Sequence, residues 1–400
     1  MDYLFVLIAI LAGIILGMIT GLIPGIHINL ISSIIIAYSY KILQILDPIT
    51  IIITITSMAI THTTLDIIPT SLIGIPSTEN LNEILPAHAL TSKGQSLTAI
   101  SYGLIGNIVG VLSTTIAIPL LVKIIPIIYI EIKEHIGIIL LIITTIIAFN
   151  NKNKILSLLF LLGSGVLGIL SFNIQTINQP LLPLLSGLFG LSALLLSINN
   201  KTKLPEQAKD IKINISKIQI LRYSITTSLA SFLTNFLPGL TSSHTALMSN
   251  KLSKVKNQEE YIILSNASSS SATIIGFIAL YTIEKSRSGT VAAIEHLIAS
   301  LNQTNLILII AVSLITISLS TIFAIFLSKK IIKYCNKINY KKLNIIIIST
   351  IIFLALVITK LEGLIILITS TSFGILAQKL NIEKINLTGC LIIPVILYMF

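Results

Sequence analysis

Apolar residues run almost without interruption through 3–20, 97–122, 155–171, 261–283, 304–328, 344–359 and 387–400. Within these runs polar residues do not return at every second position, as strands with one wet face would require, and most runs are long enough to cross a bilayer. A hydrocarbon core about 30 Å thick takes about 20 helical residues, and continuous rather than alternating hydrophobicity argues against a β-barrel. The pattern predicts an all-α fold, a polytopic membrane helical bundle of about ten to twelve helical segments. The start, MDYLFVLIAI, lacks a basic residue and a small-residue cleavage site, and reads as a retained first helix rather than a leader.

Two interruptions share one design. GLIPGIHINL (21–30) and NFLPGLTSSHT (235–245) each place Pro-Gly between apolar segments, with a histidine just after. Proline removes a backbone donor and clashes with the preceding turn, while glycine frees the chain to change direction. The released N–H and C=O groups cannot face lipid, so they belong inside the protein or at a water-filled cavity. A helix starting after the break aims its positive end at that cavity, which suits an anion. Arg222 before the second break and Lys251, Lys254 and Lys256 after it leave arms of roughly 18–22 Å at 1.5 Å per residue. That length falls short of a full crossing and predicts a re-entrant hairpin.

The two breaks head two similar halves. Each is followed by a hydroxyl-rich stretch, THTTLDIIPTS (61–71) and SNASSSSAT (265–273), then by 72–95 and 280–303. Laid over each other without gaps, the last pair match at Leu72/Leu280, Ile75/Ile283, His88/His296, Ser92/Ser300 and Gln95/Gln303. The polar stretch NNKTKLPEQAKDIKINISK (199–217) lies near the midpoint. We therefore expect an N-terminal transmembrane repeat over 1–198, a cytoplasmic linker over 199–217 and a C-terminal transmembrane repeat over 218–400. Paired interrupted helices in duplicated halves are the sequence signature of a secondary transporter.

Composition sharpens this. Of 400 residues 54% are hydrophobic and 10% charged, against about 25% charged in soluble domains. A net charge of +11 would suggest nucleic acid in a soluble protein. Here the lysines cluster in short loops (201–217 and 329–342), as the positive-inside rule expects, without the interleaved aromatics of a single-strand binder. Its predicted surroundings are the lipid bilayer of the cell membrane, with no nucleic acid partner. Two cysteines, Cys335 and Cys390, give neither a disulfide framework nor a cysteine metal site.

Candidate chemistry gathers at the breaks and the hydroxyl-rich stretches. Pro24, Gly25, His27 and Asn29 in the first half, with Asn235, Pro238 and Gly239 in the second, are candidates for substrate binding. Thr241, Ser242, Ser243 and His244 follow directly and extend that group. Neutral hydrogen bonds from these residues suit a polar cargo, and interhelical packing is the alternative role for each. Asp66 is the sole acidic residue of 48–76; an ionisable group at membrane depth marks function by default. His62 lies one helical turn earlier, and with Thr63 and Asp66 it could bind a cation or relay a proton; a helix-capping turn is the other reading. Ser268, Ser269 and Ser270 fit either close helix packing or cation coordination. Glu284, Lys285 and Arg287 lie within 280–303, at the place that Glu79 and Glu83 hold in the first half, and there Arg287 could grip a carboxylate in bidentate fashion. Glu79 and Glu83 read as a solvated loop. Gly106, Gly110, Gly187 and Gly190 read as helix contacts.

The residues GLIPGIHINL (21–30), LIGIPSTENLNEILPAHALTSKGQ (72–95) and FLPGLTSSHT (236–245) resemble the membrane permease subunit of the tripartite tricarboxylate transporters, the TctA family, in a short archaeal form. Gly74 and Pro76 belong to the most specific of these motifs. The resemblance implies a permease for a small organic anion, a di- or tricarboxylate, coupled to Na+ or protons by alternating access. It also implies a small membrane subunit and an extracytoplasmic binding protein as partners, with no cofactor beyond the coupling ion. The chain departs from the pattern where Thr282-Ile283-Glu284 replaces Gly-Ile-Pro. An enzyme is not expected: no His-Glu-x-x-His, phosphate loop or nucleotide-binding domain is present. The rival class is a translocase of a lipid-linked phosphate, separated from a permease by whether the ligand is a soluble carboxylate or a headgroup entering sideways from the bilayer.

Overall fold

The computed structural model describes residues 3–23, 28–73, 84–149, 151, 153–177, 179–198, 205–208, 210–255, 257–286, 288–298, 300–335 and 340–400. Pro24, Gly25, His27, Gly74, Pro76, Glu79, Glu83 and Arg287 lie outside these residues, as does the side chain of Asn29. Within them the chain is helical, and seven helices are long and apolar enough to cross a membrane. It is a multi-pass membrane protein.

The first half runs α1 (Tyr3–Leu22), α2 (Ile28–Ala37), α3 (Ser39–Leu43), α4 (Pro48–Leu65), α5 (Ile67–Ile73), α6 (Ile84–Ser92) and α7 (Ser96–Ile132). It continues through α8 (Ile136–Phe149), α9 (Lys154–Phe172), α10 (Leu181–Leu185), a π-helical turn (Ser186–Leu191) and α11 (Ser192–Ser197). The second half runs α12 (Lys217–Asn235), α13 (Ser242–Ser253), α14 (Gln258–Ile283), α15 (Gly289–Leu297), α16 (Gln303–Cys335), α17 (Tyr340–Lys379) and α18 (Gly389–Met399). A non-helical backbone at Lys360 (φ 56°, ψ −155°) divides α17 in two. α1 and α12 each precede short helices (α2 and α3; α13) and then one of the two most buried spans, α4 and α14, which lead through further short helices (α5 and α6; α15) to the long α7 and α16.

Local sequence sets the boundaries. Asp47 caps α4, its carboxylate accepting from the Thr50 N–H at 2.8 Å and the Thr50 hydroxyl at 2.9 Å, with Pro48 opening the helix. The Thr50 N–H holds the Asp47 carboxyl below its ordinary range. Ser216 and Gln219 cap α12 reciprocally, the Ser216 N–H donating to Oε1 at 2.9 Å and the Gln219 N–H to Oγ at 3.2 Å. Glu284 takes a left-handed backbone (φ 51°) and stops α14.

The centre of the bundle is the pair of hydroxyl-rich spans. In Pro48–Leu72 and Gln258–Ile283, 89% of the most apolar window is buried, against 33–44% in the other spans. Lipid supplies no hydrophobic drive between helices, so close approach and polar bonds must hold them. The Thr61 and Ser320 hydroxyls bond at 2.8 Å, Asn107 Nδ2 donates to the Thr63 carbonyl at 3.2 Å, and Ser271 Oγ donates to the Gly110 carbonyl at 3.2 Å. α7 lies against α14 because Gly106 and Gly110 bring it onto the Ile263 and Ala267 carbonyls. Gly190, expected as a helix contact, faces open space instead, while Gly187 is pressed against Ser370. We expect Gly106→Leu to overpack this contact and lower stability by about 1–3 kcal/mol. Thermal unfolding in detergent reads the loss, and an unchanged transition would show that the two helices can separate freely.

The described part of the linker is a strap rather than a free tether. Gln207 Oε1 accepts from the Ser96 N–H and Nε2 donates to the Thr91 carbonyl, both at 3.1 Å. The Ala208 N–H donates to the Gly94 carbonyl at 2.8 Å, and the Asn214 N–H to the Tyr102 hydroxyl at 2.9 Å.

Candidate functional site: a cavity at three helix starts

A cavity of about 870 Å³ opens where the second break meets the central spans. At the break α12 ends in a turn, with the Leu237 N–H donating to the Thr234 carbonyl at 3.1 Å. Pro238 and Gly239 follow, and Gly239 sits at φ +84°, a left-handed backbone natural to glycine. The Thr241 N–H donates to His244 Nδ1 at 3.0 Å, so this donor at the break is satisfied inside the protein. That bond leaves Nδ1 without a proton and makes Nε2–H a donor, which reaches Thr388 Oγ1 at 3.2 Å. The Thr388 hydroxyl in turn donates to the Ile385 carbonyl at 2.5 Å. His244 thus ties the start of α13 to the segment that leads into α18, one layer behind the cavity wall.

Three helix starts reach this space: Ile28 of α2, Thr241 and Ser242 of α13, and Ser288, Gly289 and Thr290 of α15. Each such end carries about half a positive charge. Ser288 caps α15, accepting from the Val291 N–H at 3.4 Å and bonding the Thr290 hydroxyl at 2.9 Å. Among the described lining residues Lys285 is the one fixed charge, and no carboxylate faces the space. Helix ends reach it too, at Phe172 of α9, Asn235 of α12 and Met399 of α18, and offset part of that field, so the fixed positive charge of Lys285 is what tips the lining toward an anion.

The central spans contribute in matched fashion. With Pro48 set against Gln258, the lining residues Ala59, His62 and Thr63 fall opposite Ser269, Ala272 and Thr273, which also line the cavity. Thr63 Oγ1 donates to the Ala59 and Ile60 carbonyls, both at 3.0 Å.

Of the residues singled out by sequence, His62, Thr63, Asn235, Pro238, Gly239, Thr241, Ser242 and Ser269 all line this cavity. Ser243 and His244 are buried outside the lining set. Ser268 and Ser270 turn their hydroxyls to their own helix, donating to the Leu264 carbonyl at 2.8 Å and the Asn266 carbonyl at 2.9 Å. Asp66 is half-buried at the junction of α4 and α5, its backbone helical and its N–H on the His62 carbonyl at 3.0 Å, and it does not line the cavity.

Lys285 lines the cavity, whereas Arg287, the candidate taken from the sequence, lies outside the described residues. Sequence reasoning missed Ser288 and Thr290, whose signal was a serine before an apolar periodic run. It also missed the wall built by Phe172, Leu181, Leu185, Phe189, Leu391 and Tyr398.

A family model described as "Tripartite tricarboxylate transporter TctA family" matches residues 7–389. An uncharacterized protein of Methanocaldococcus jannaschii is 29% identical over 376 residues, covering 91% of this chain and 92% of its own length. No solved structure matches the chain.

Proposed function

The chain belongs to the tripartite tricarboxylate transporter TctA family, and from that premise we propose that it is a permease moving a small organic anion, a di- or tricarboxylate, by alternating access with Na+ or protons. Transporters of this family are tripartite, so a binding protein and a small membrane subunit are the kind of partner to expect. The observation that carries the assignment is the convergence of three helix starts and Lys285 on one cavity free of carboxylates among its described lining. An anion there meets positive helix starts and a lysine, with no carboxylate among the described lining to displace.

The recurring order of elements supports two related repeats, 1–198 and 218–400, joined by 199–217. The matched positions on α4 and α14 support a site at the repeat interface, where carriers of this kind bind. Asn235, Thr241, Ser242 and Lys285 would hold the anion's oxygens, with Pro238 and Gly239 shaping the tip. His62, Thr63, Asp66 and Ser269 would serve the coupling ion.

Uptake of labelled succinate and citrate into proteoliposomes under imposed Na+ or proton gradients tests this. We expect gradient-driven accumulation of at least one of them. No accumulation with either gradient, from protein that retains its unfolding transition, would remove the assignment. Asp66→Asn should weaken the dependence of uptake on the coupling ion while leaving anion affinity within about twofold, because the side chain stands off the anion's wall. An ion dependence identical to that of the parent would leave Asp66 a structural junction between α4 and α5.

A further inference from the structure

We propose that the carried anion is amphiphilic, with a compact charged head and an apolar body, and that Phe172, Leu181, Leu185, Phe189, Leu391 and Tyr398 form a second subsite for that body. The proposal rests on the assignment of the cavity to an anion and goes beyond it by naming a ligand class. Pockets of roughly 300–1,000 Å³ hold drug-sized ligands, and about 870 Å³ stands toward the upper end of that range. A di- or tricarboxylate of a few carbons would leave much of this space to water.

The space is divided by element. Residues of α13, the loop after α14 and the start of α15 bring hydroxyls and Lys285. Residues of α9, α10, the π-helical turn and α18 bring side chains without a charge, most of them hydrocarbon. The two groups belong to different packing neighbourhoods: α15 lies on α2 and α4, whereas α18 lies on α8 and α9. The tip at Gly239 stands between them, backed by Leu391 and Ile392. A ligand reaching both sides therefore passes from helix starts to an apolar wall.

That wall also reaches the outer surface of the bundle. Tyr398 is 87% exposed and Phe172 40% exposed, and apart from Lys154 at the far end of α9 the other exposed residues of these two helices are apolar. The apolar end of the cavity thus continues into the lipid-facing surface. Phe189 is carried by the π-helical turn, a distortion that recurs at functional sites. An amphiphilic anion has two sources, a water-soluble alkyl or aryl carboxylate and a lipid-linked anionic head. The chemistry that recognises them is the same.

Equilibrium binding to the full chain in lipid nanodiscs, with empty nanodiscs as blank, decides the matter. The probes are succinate, propylsuccinate, hexylsuccinate and decylsuccinate, with farnesyl phosphate as a separate arm. We expect blank-corrected affinity to rise about fourfold per methylene over the first few carbons. Leu185→Asn and Leu391→Asn should flatten that slope, whereas Lys285→Gln should weaken all four succinates by a similar factor and keep it. Stronger binding of the alkylsuccinates points to the soluble source, and stronger binding of farnesyl phosphate to the lipid-linked one; both support the second subsite. Equal affinity along the series in the parent protein overturns it and leaves the anion site standing. If no probe binds to protein that retains its unfolding transition, both fall.

Discussion

Replacing Gly239 with leucine should abolish uptake while the protein still reaches the membrane in normal amount. Two costs fall on that position together. Its left-handed backbone (φ +84°) costs a residue with a side chain about 1–2 kcal/mol. A Cβ built there would also stand 3.1 Å from the Ile392 Cα and 3.2 Å from the Leu391 carbonyl oxygen. That is backbone, which cannot swing aside, so the tip must lift off α18, at a further overpacking cost of about 1–3 kcal/mol. Lifting the tip moves Pro238, Thr241 and Ser242 away from the cavity they line with His62 and Ser269. Gly239→Ala meets the same backbone cost with less bulk and should retain partial uptake, and Pro238→Leu should fall nearer the leucine variant. Uptake in proteoliposomes, normalised to inserted protein, is the measurement. Parental rates from Gly239→Leu would deny the break its place in transport.

Lys285→Gln should weaken apparent affinity for the anion by about 10- to 100-fold, the range expected when one charge-assisted hydrogen bond of about 1.5–3 kcal/mol is lost. Lys285→Arg should keep most of the affinity because the charge persists. The residue is exposed, so salt screens it, and the gap between parent and variant should narrow as ionic strength rises. Concentration dependence of uptake at low and high salt separates these outcomes. A glutamine variant with unaltered affinity would mean that the helix starts and hydroxyls suffice.

The breaks, the spans and the hydroxyl-rich stretches were legible because each violates the chain's own background. Pro238-Gly239 interrupts an apolar run, and THTTLD sets polar atoms where lipid-facing residues would be expected. The apolar wall was illegible for the opposite reason. In a soluble protein a hydrophobic cavity lining stands out against a polar surface. Here Leu185 and Leu391 read the same as leucines that face lipid, since the bilayer and the cavity select the same side chains. The role of His244 was half visible: its place beside the break could be read, but its contact with Thr388 joins residues distant in sequence. The strap at Gln207 was hidden in a stretch whose composition resembles a free linker, and only its bonds to Thr91 and Ser96 distinguish it.

The closest helix pairing runs between the halves, α14 along α7; α1 along α4 follows within the first half, and α18 along α9 and α16 along α4 again cross between them. Made alone, the second half would lack the helix on which its central span α14 packs most closely, and the first half would keep α4 on α1 but leave α7 and α9 without their main partners. During synthesis α7 and α9 must therefore wait in the bilayer, open to surveillance proteases, until α14 and then α18 have been delivered. Two polypeptides divided at the linker should accumulate only when made together in the same cell, each acting as the other's stabilising subunit.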